Sequence, residues 1–69
     1  MTDTEKLKQK IKESGYRIAF IAERLGLSYP GFKKKVDNES EFKASEILSL
    51  TEMLGLSAEE QEAIFFVAE

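Results

Sequence analysis

Apolar residues recur along this chain at intervals of three and four, the spacing that places side chains on one face of an α-helix. The clearest stretch follows this spacing from i to i+7 in four residues, Ile18, Ile21, Ala22 and Leu25. Segments of this kind predict five helices, over residues 3–14, 17–25, 29–36, 46–54 and 58–68. We therefore expect one all-α domain over residues 1–69, without an internal repeat or a linker.

A very short turn joins the second and third predicted helices. Gly26 follows the last periodic residue of the second helix, where a left-handed backbone that glycine adopts without strain commonly ends a helix. Ser28 offers a hydroxyl to cap the next helix, and Pro30 falls in that helix's first turn, where its missing N–H is not needed. Phe32 and Val36 lie four residues apart on its inner side. Two helices joined this tightly must cross at a steep angle, which leaves three lysines in solvent: Lys33, Lys34 and Lys35.

Local signals also predict how the second half of the chain begins its helices. Phe42 ends a polar stretch that reads as a loop, and we expect its ring to pack back into the core. Ser45 is the predicted cap of the fourth helix. Ser57 and Glu60 have the Ser-x-x-Glu spacing of a capping box, in which each side chain accepts a hydrogen bond from the other residue's free backbone N–H.

The fifth predicted helix carries six consecutive apolar residues, from Ala63 to Ala68. Six residues in a row cover more than one face of a helix, so one face can pack on the first and fourth helices while the other needs a separate cover. A second copy of the protein is the simplest cover, which predicts a homodimer. The alternative is a single packed face with a frayed C-terminus.

Phe20 lies off the buried face of its helix. Three interpretations stay open: ordinary surface exposure, an extension of the core, or a patch that binds a partner. Together with the apolar ending, it completes the set of predicted dimer or partner contacts: Phe20, Ile64, Phe65, Phe66 and Val67.

Composition excludes several classes of function. The chain has 69 residues, no cysteine and no histidine, so it lacks a disulfide, a thiolate metal site, the usual general base and the commonest metal ligand. Glu59 and Glu60 are adjacent, and adjacent residues on a helix point apart. We expect no catalytic residue, no metal, no cofactor and no small-molecule effector. The absence of a membrane span and of a signal peptide predicts a cytoplasmic protein.

Charge is strongly polarised along the chain. Residues 1–36 contain nine basic and four acidic side chains, a net charge of +5, whereas residues 37–69 contain one basic and nine acidic side chains, a net charge of −8. Such a protein has one face that attracts phosphate and another that repels it, which would orient an approach to DNA. The alternative is a solvated surface on which the two signs happen to be segregated.

Four residues of the central stretch carry a family resemblance. Ala22 is small where the two helices touch, and Gly26 stands in the turn with Leu27 after it. Phe32 is apolar six positions beyond the glycine. In these residues the stretch resembles the helix-turn-helix of the phage repressor and Cro-like (Xre-type) family of small prophage regulators. The resemblance implies a five-helix lambda-repressor-like DNA-binding domain with a central helix-turn-helix.

Two further segments add to the resemblance, and the sequence departs from the family pattern at three points. Residues 38–42 and 64–66 are similar to the corresponding parts of small Cro-like proteins. Arg17 stands where that family often has a capping Ser or Thr, and Ile18 where it often has a Gln that touches a phosphate. The next apolar residue after Phe32 is Val36, four positions on, where many members of the family have it three positions on.

The resemblance implies that the third helix enters the major groove of double-stranded DNA and reads bases with its N-terminal part. The implied base-reading residues are Ser28, Tyr29, Pro30, Lys33 and Lys34. Phosphate contacts are expected from Arg17, Arg24, Lys35 and Lys43. The third helix has no Asn, Gln or Arg, so it lacks the strongest bidentate readers, and its specificity would be modest or would depend on DNA shape.

Two classes of function remain. The first is a sequence-specific, dimeric, Cro-like repressor that binds operator DNA. The second is a protein-binding module on the same fold, either an anti-repressor that docks on a phage repressor or an antitoxin, because fold does not fix function. Phe20, the apolar ending and the net charge of −3 favour the second class.

Overall fold

Five α-helices make up the computed structural model, which describes residues 1–67 and contains no β-strand among them. The helices are α1 (Thr4–Ser14), α2 (Ile18–Arg24), α3 (Tyr29–Val36), α4 (Ala44–Leu54) and α5 (Ala58–Phe65). The predicted all-α class with five helices is thus confirmed. No helix among residues 1–67 is both long enough and apolar enough to cross a membrane.

All five helices contribute to one core. Each of them provides a side chain that is almost completely buried, namely Leu7, Ile21, Phe32, Leu50 and Ile64. Phe42, from the loop before α4, packs its ring edge-on against two core rings, with centroids 6.2 Å from Phe32 and 5.5 Å from Phe65. Each such aromatic pair adds about 0.5–1.5 kcal/mol beyond the burial of its surface.

The α2–α3 turn has the predicted form. Gly26 is left-handed, with a φ of 72°, and the N–H of Leu27 donates to the carbonyl of Ala22 at 2.9 Å. This bond reaches back five residues and is typical of a helix that ends at a left-handed glycine. The Ser28 hydroxyl accepts the N–H of Gly31 at 3.1 Å and so begins α3. Ala22 is buried in the core, so the two helices pack closely there.

The predicted start of α4, with Ser45 as its cap and residue 46 as its first residue, is wrong. The helix begins at Ala44, and Lys43 is its N-cap residue. The Glu46 carboxylate accepts the Lys43 N–H at 2.8 Å, and the Lys43 carbonyl accepts the N–H of Ile47 at 3.0 Å. Glu46, at the third position of the helix, therefore satisfies the free N–H of the cap residue. No Ser, Thr, Asp or Asn is needed at the cap itself. The Ser57–Glu60 capping box of α5 is present as predicted.

The end of α5 also differs from the prediction. The helix ends at Phe65 rather than near residue 68; Ala68 lies outside the described residues. Ile64 and Phe65 are core residues, so the prediction that they contact a second copy is wrong. Of that apolar run, Phe66 is exposed and Val67 is half-buried.

The first residues of the chain are fixed by polar contacts that the sequence did not reveal. Thr2 and Asn38 form two hydrogen bonds, from the Thr2 N–H to the Asn38 side-chain oxygen at 2.9 Å and from the Asn38 amide to the Thr2 carbonyl at 2.6 Å. The N–H of Asp3 donates to the carbonyl of Ile64 at 2.7 Å. These bonds join the N-terminus to the α3–α4 loop and to α5.

Candidate nucleic-acid interface

The outer surface of α3 presents polar and basic side chains to solvent. Tyr29 is 52% exposed, and Ser28, Pro30 and Lys34 are exposed with it. Lys34 has no ion-pair partner among residues 1–67. Phe32 and Val36 face the core, so helical geometry leaves the opposite side of α3 open to solvent.

Lys33 lies on a different side of α3 from Lys34. Its ammonium is 3.9 Å from an Asp37 carboxylate oxygen, and its side chain is only partly exposed. The Lys8 ammonium of α1 is 3.1 Å from the other oxygen of the same carboxylate. Lys33 therefore turns toward α1, although the sequence placed it among the base-reading residues.

Lys35 is engaged inside the protein, which corrects its predicted role as a phosphate contact. Its ammonium is 2.6 Å from a Glu46 carboxylate oxygen, and the two side chains are 14% and 7% exposed. Burial alone would raise the pKa of Glu46, but hydrogen bonds from Lys35 and from the Lys43 N–H outweigh it and lower that pKa. Lys35 and Glu46 thus form an ion pair that joins α3 to the start of α4.

The other predicted phosphate contacts remain accessible. Arg17, Arg24 and Lys43 are exposed and make no ion pair among residues 1–67. Arg17 precedes α2 and Lys43 precedes α4, so two helix starts carry a free cation.

Phe20 belongs to a small surface group that we name the α2 aromatic cluster: Tyr16, Phe20 and Arg24. Phe20 is 41% exposed, and its ring centroid is 5.4 Å from that of Tyr16. The Arg24 guanidinium lies 5.9 Å from the Phe20 ring centroid, within the range of a cation–π interaction. Phe20 is therefore a surface residue and does not extend the core.

A hollow between α1 and α3 brings together residues that are far apart in the sequence. Its floor is formed by Ile11, Ile18 and Val36, and its volume is about 360 Å³. Three lysines, Lys8, Lys12 and Lys33, line it; we call it the α1–α3 hollow. Lys8 and Lys12 are one helical turn apart on either side of Ile11, but only the packing of α1 on α3 places them beside Lys33.

Lysines on the opposite side of α1 lie close to carboxylates. Lys10 forms an ion pair with Glu60 of α5, which, with the Ser57 N–H, lowers the pKa of Glu60 to about 2. Lys6 lies 3.9 Å from Asp3. Within residues 1–67, the basic side chains that make no ion pair are Lys12, Arg17, Arg24, Lys34 and Lys43.

Residues 1–67 contain no group of three or more Asp, Glu, His or Cys side chains that could hold a metal ion. Comparison with protein-family models, curated proteins and solved structures finds no match for this chain. The functional reading therefore depends on the positions and charges of the chain's own side chains.

Proposed function

We propose that this protein is a cytoplasmic, sequence-specific DNA-binding regulator, a Cro-like repressor with a lambda-repressor-like helix-turn-helix. In this proposal α2 and α3 form the helix-turn-helix, and α3 enters the major groove of operator DNA. The observation that carries the proposal is the outer face of α3. It exposes Tyr29, Pro30 and Lys34, while the helix itself contains no acidic residue.

One set of side chains would contact bases and a second set would contact phosphates. Tyr29 and Lys34 would reach base edges, since a tyrosine hydroxyl can donate to a base acceptor and a lysine can donate to guanine O6 and N7. Arg17, Arg24 and Lys43 would contact phosphates, which fix the position of the protein without reading sequence.

A homodimer is part of this proposal, because two copies would bind two half-sites about 34–36 Å apart. Phe66 and Leu48 are 58% and 60% exposed and line one hollow of about 370 Å³ with Phe42, Ala44, Ile47 and Gln61. The proposed contact is therefore formed by Phe66 and Val67, which follow the end of α5, and by Leu48, a new residue from α4.

The α2 aromatic cluster favours a second candidate. Tyrosine, phenylalanine and arginine are the residue types enriched in protein interfaces, and Tyr16, Phe20 and Arg24 present all three on one exposed surface. In this alternative the protein binds another protein, either as an anti-repressor on a phage repressor or as an antitoxin.

Substitutions in α3 distinguish the two candidates. Lys34→Ala should weaken binding to duplex DNA from the region around the protein's own gene, and thermal stability should stay unchanged because Lys34 is exposed and unpaired. Lys6→Ala removes the same charge from the far side of α1 and should leave affinity within about twofold.

Equal affinities of the two variants would show that α3 does not enter the groove. A parent protein that binds no DNA at about 50 mM salt, where phosphate contacts are strongest, would favour the protein-binding alternative. Phe20→Ser should then abolish binding to the partner repressor, whereas Lys34→Ala should not.

A further inference from the structure

The α1–α3 hollow carries a positive charge that internal ion pairs do not balance. Asp37 is the one acidic partner of its lysines within residues 1–67, and it is shared between Lys8 at 3.1 Å and Lys33 at 3.9 Å. Lys12 has no ion-pair partner there. Three ammonium groups and one carboxylate leave a net charge of +2 around an open apolar floor.

Stability does not account for this arrangement. Exposed ion pairs contribute about 0–1 kcal/mol, and both pairs with Asp37 are at least partly exposed. One carboxylate balances only one of the three ammonium groups, so a net repulsion remains in the hollow that a further anion would relieve. The charge therefore points to a bound anion.

The position of the hollow on α3 favours one class of anion. Lys33 belongs to α3, and a helix in the major groove is bordered by the phosphates of both strands. Ile18 is the first residue of α2, so the hollow opens beside the start of one helix and along the side of the other. Its floor of Ile11, Ile18 and Val36 suits the C–H edges of deoxyribose, and lysine ammonium groups suit phosphate.

We propose that the α1–α3 hollow binds a backbone phosphate of DNA, with Lys8, Lys12 and Lys33 as its cationic ligands and Asp37 as a competing anion. The inference rests on the proposed function. It adds α1 to the DNA-binding surface, and it makes Lys33 a phosphate contact rather than a reader of bases.

The test compares two lysines of α1 in salt-dependent titrations on duplex DNA. Lys12→Gln removes an unpaired lysine of the hollow, whereas Lys6→Gln removes a lysine on the α5 side of the same helix. Each phosphate contact contributes about 0.9 to the slope of log K against log salt, and a dimer loses one contact in each copy. Lys12→Gln should therefore lower affinity about 60-fold at 0.1 M salt and reduce the slope by about 2. Lys6→Gln should change neither value.

Two further measurements identify the role of the hollow. Lys33→Gln should lower affinity for the preferred and for random duplexes by the same factor; a loss confined to the preferred duplex would show that Lys33 reads bases and would overturn its assignment. Asp37→Asn removes the competing anion and should raise affinity severalfold. Glu62→Gln, which removes the same charge from exposed α5, should not.

The failure of this inference and the failure of the proposed function have different signatures. If the parent binds DNA with a steep salt slope and Lys12→Gln matches Lys6→Gln, the hollow does not hold a phosphate, although the protein still binds DNA. If the parent binds no duplex at all, both the proposed function and this phosphate site are wrong.

Discussion

Removing Lys35 should cost far more stability than removing its neighbour Lys34. The Lys35 ammonium is 2.6 Å from the Glu46 carboxylate in a site where the side chains are 14% and 7% exposed. At an effective dielectric constant of about 20, unit charges at that distance attract by about 6 kcal/mol, and desolvation of both groups offsets most of this attraction.

The cost in stability of Lys35→Met comes mainly from the Glu46 charge that it leaves buried without its partner. Lys35→Met leaves the Glu46 carboxylate largely out of water with one donor, the Lys43 N–H. Breaking a buried pair by removing one partner costs about 3–5 kcal/mol. Water can reach the site through the small exposed part of Lys35, so we expect the low end, about 3 kcal/mol. For a domain of this size, that loss lowers Tm by about 12–24 °C.

The pH dependence follows from the direction of the pKa shift. The pKa of Glu46 is lowered below its ordinary value of 4.5 in the folded protein. Its contribution to stability is therefore complete above about pH 4.5 and is lost as the pH falls through the folded-state pKa. The difference in stability between the parent and Lys35→Met should accordingly be greatest near pH 7 and should narrow in acid.

Urea unfolding followed by circular dichroism, at pH 7 and at pH 4, measures both effects. Lys34→Met is the matched control, and it should stay within about 0.5 kcal/mol of the parent because that lysine is exposed and unpaired. Lys35→Met/Glu46→Leu should be more stable than Lys35→Met alone, because it leaves no buried charge. A cost for Lys35→Met below about 0.5 kcal/mol, or one that does not change with pH, would refute the reasoning.

Three other predictions concern other parts of the molecule. Ala22→Leu should destabilise the protein by about 1–3 kcal/mol by overpacking the α2–α3 contact, and a urea midpoint equal to that of the parent would show that the contact has room. Phe66→Asp should shift the sedimentation coefficient toward that of a monomer; a parent that is already monomeric contradicts the proposed dimer. Lys10→Gln should raise the pKa of Glu60 from about 2 toward its ordinary value in an NMR titration, because the lysine's hydrogen bond is the main cause of the shift, and an unchanged value would assign the shift to the Ser57 N–H.

The sequence predicted those features that depend on a few neighbouring residues. The Gly26 turn, the Ser28 cap and the Ser57–Glu60 capping box each follow from backbone hydrogen bonding within about five positions, and each is present. The start of α4 was missed because lysine is not a capping residue by type. The residue that could have indicated this start is Glu46, because a carboxylate at the third position of a helix can accept the N–H of the cap residue.

The sequence could not predict which of the three lysines of α3 would be exposed and which would form ion pairs. Lys33, Lys34 and Lys35 are adjacent and chemically identical, yet one turns toward α1, one is exposed and one is engaged with α4. Helical rotation of about 100° per residue separates the three directions, but only tertiary packing decides what each direction meets. The α1–α3 hollow escaped prediction for the same reason.

The end of α5 was mispredicted because a run of apolar residues does not show which of them the core accepts. Ile64 and Phe65 are buried, whereas Phe66 is exposed. The Ile64 carbonyl accepts a hydrogen bond from the Asp3 N–H, which brings the N-terminus to this end of the helix. That contact joins residues from the two ends of the chain, and no local pattern indicates it.

The central claim is best tested by measuring the affinity of the parent protein for duplex DNA from around its own gene, and for random DNA, between 50 and 200 mM salt. In the proposed complex Arg17, Arg24, Lys43 and the α1–α3 hollow would supply about four phosphate contacts per copy. A dimer should then show a slope of about −7 and lose about 10⁴-fold in affinity over that range. A preference for the duplex from its own gene should accompany that slope. A salt-independent affinity, or no binding at 50 mM, would contradict the account of α3 as a DNA-reading helix.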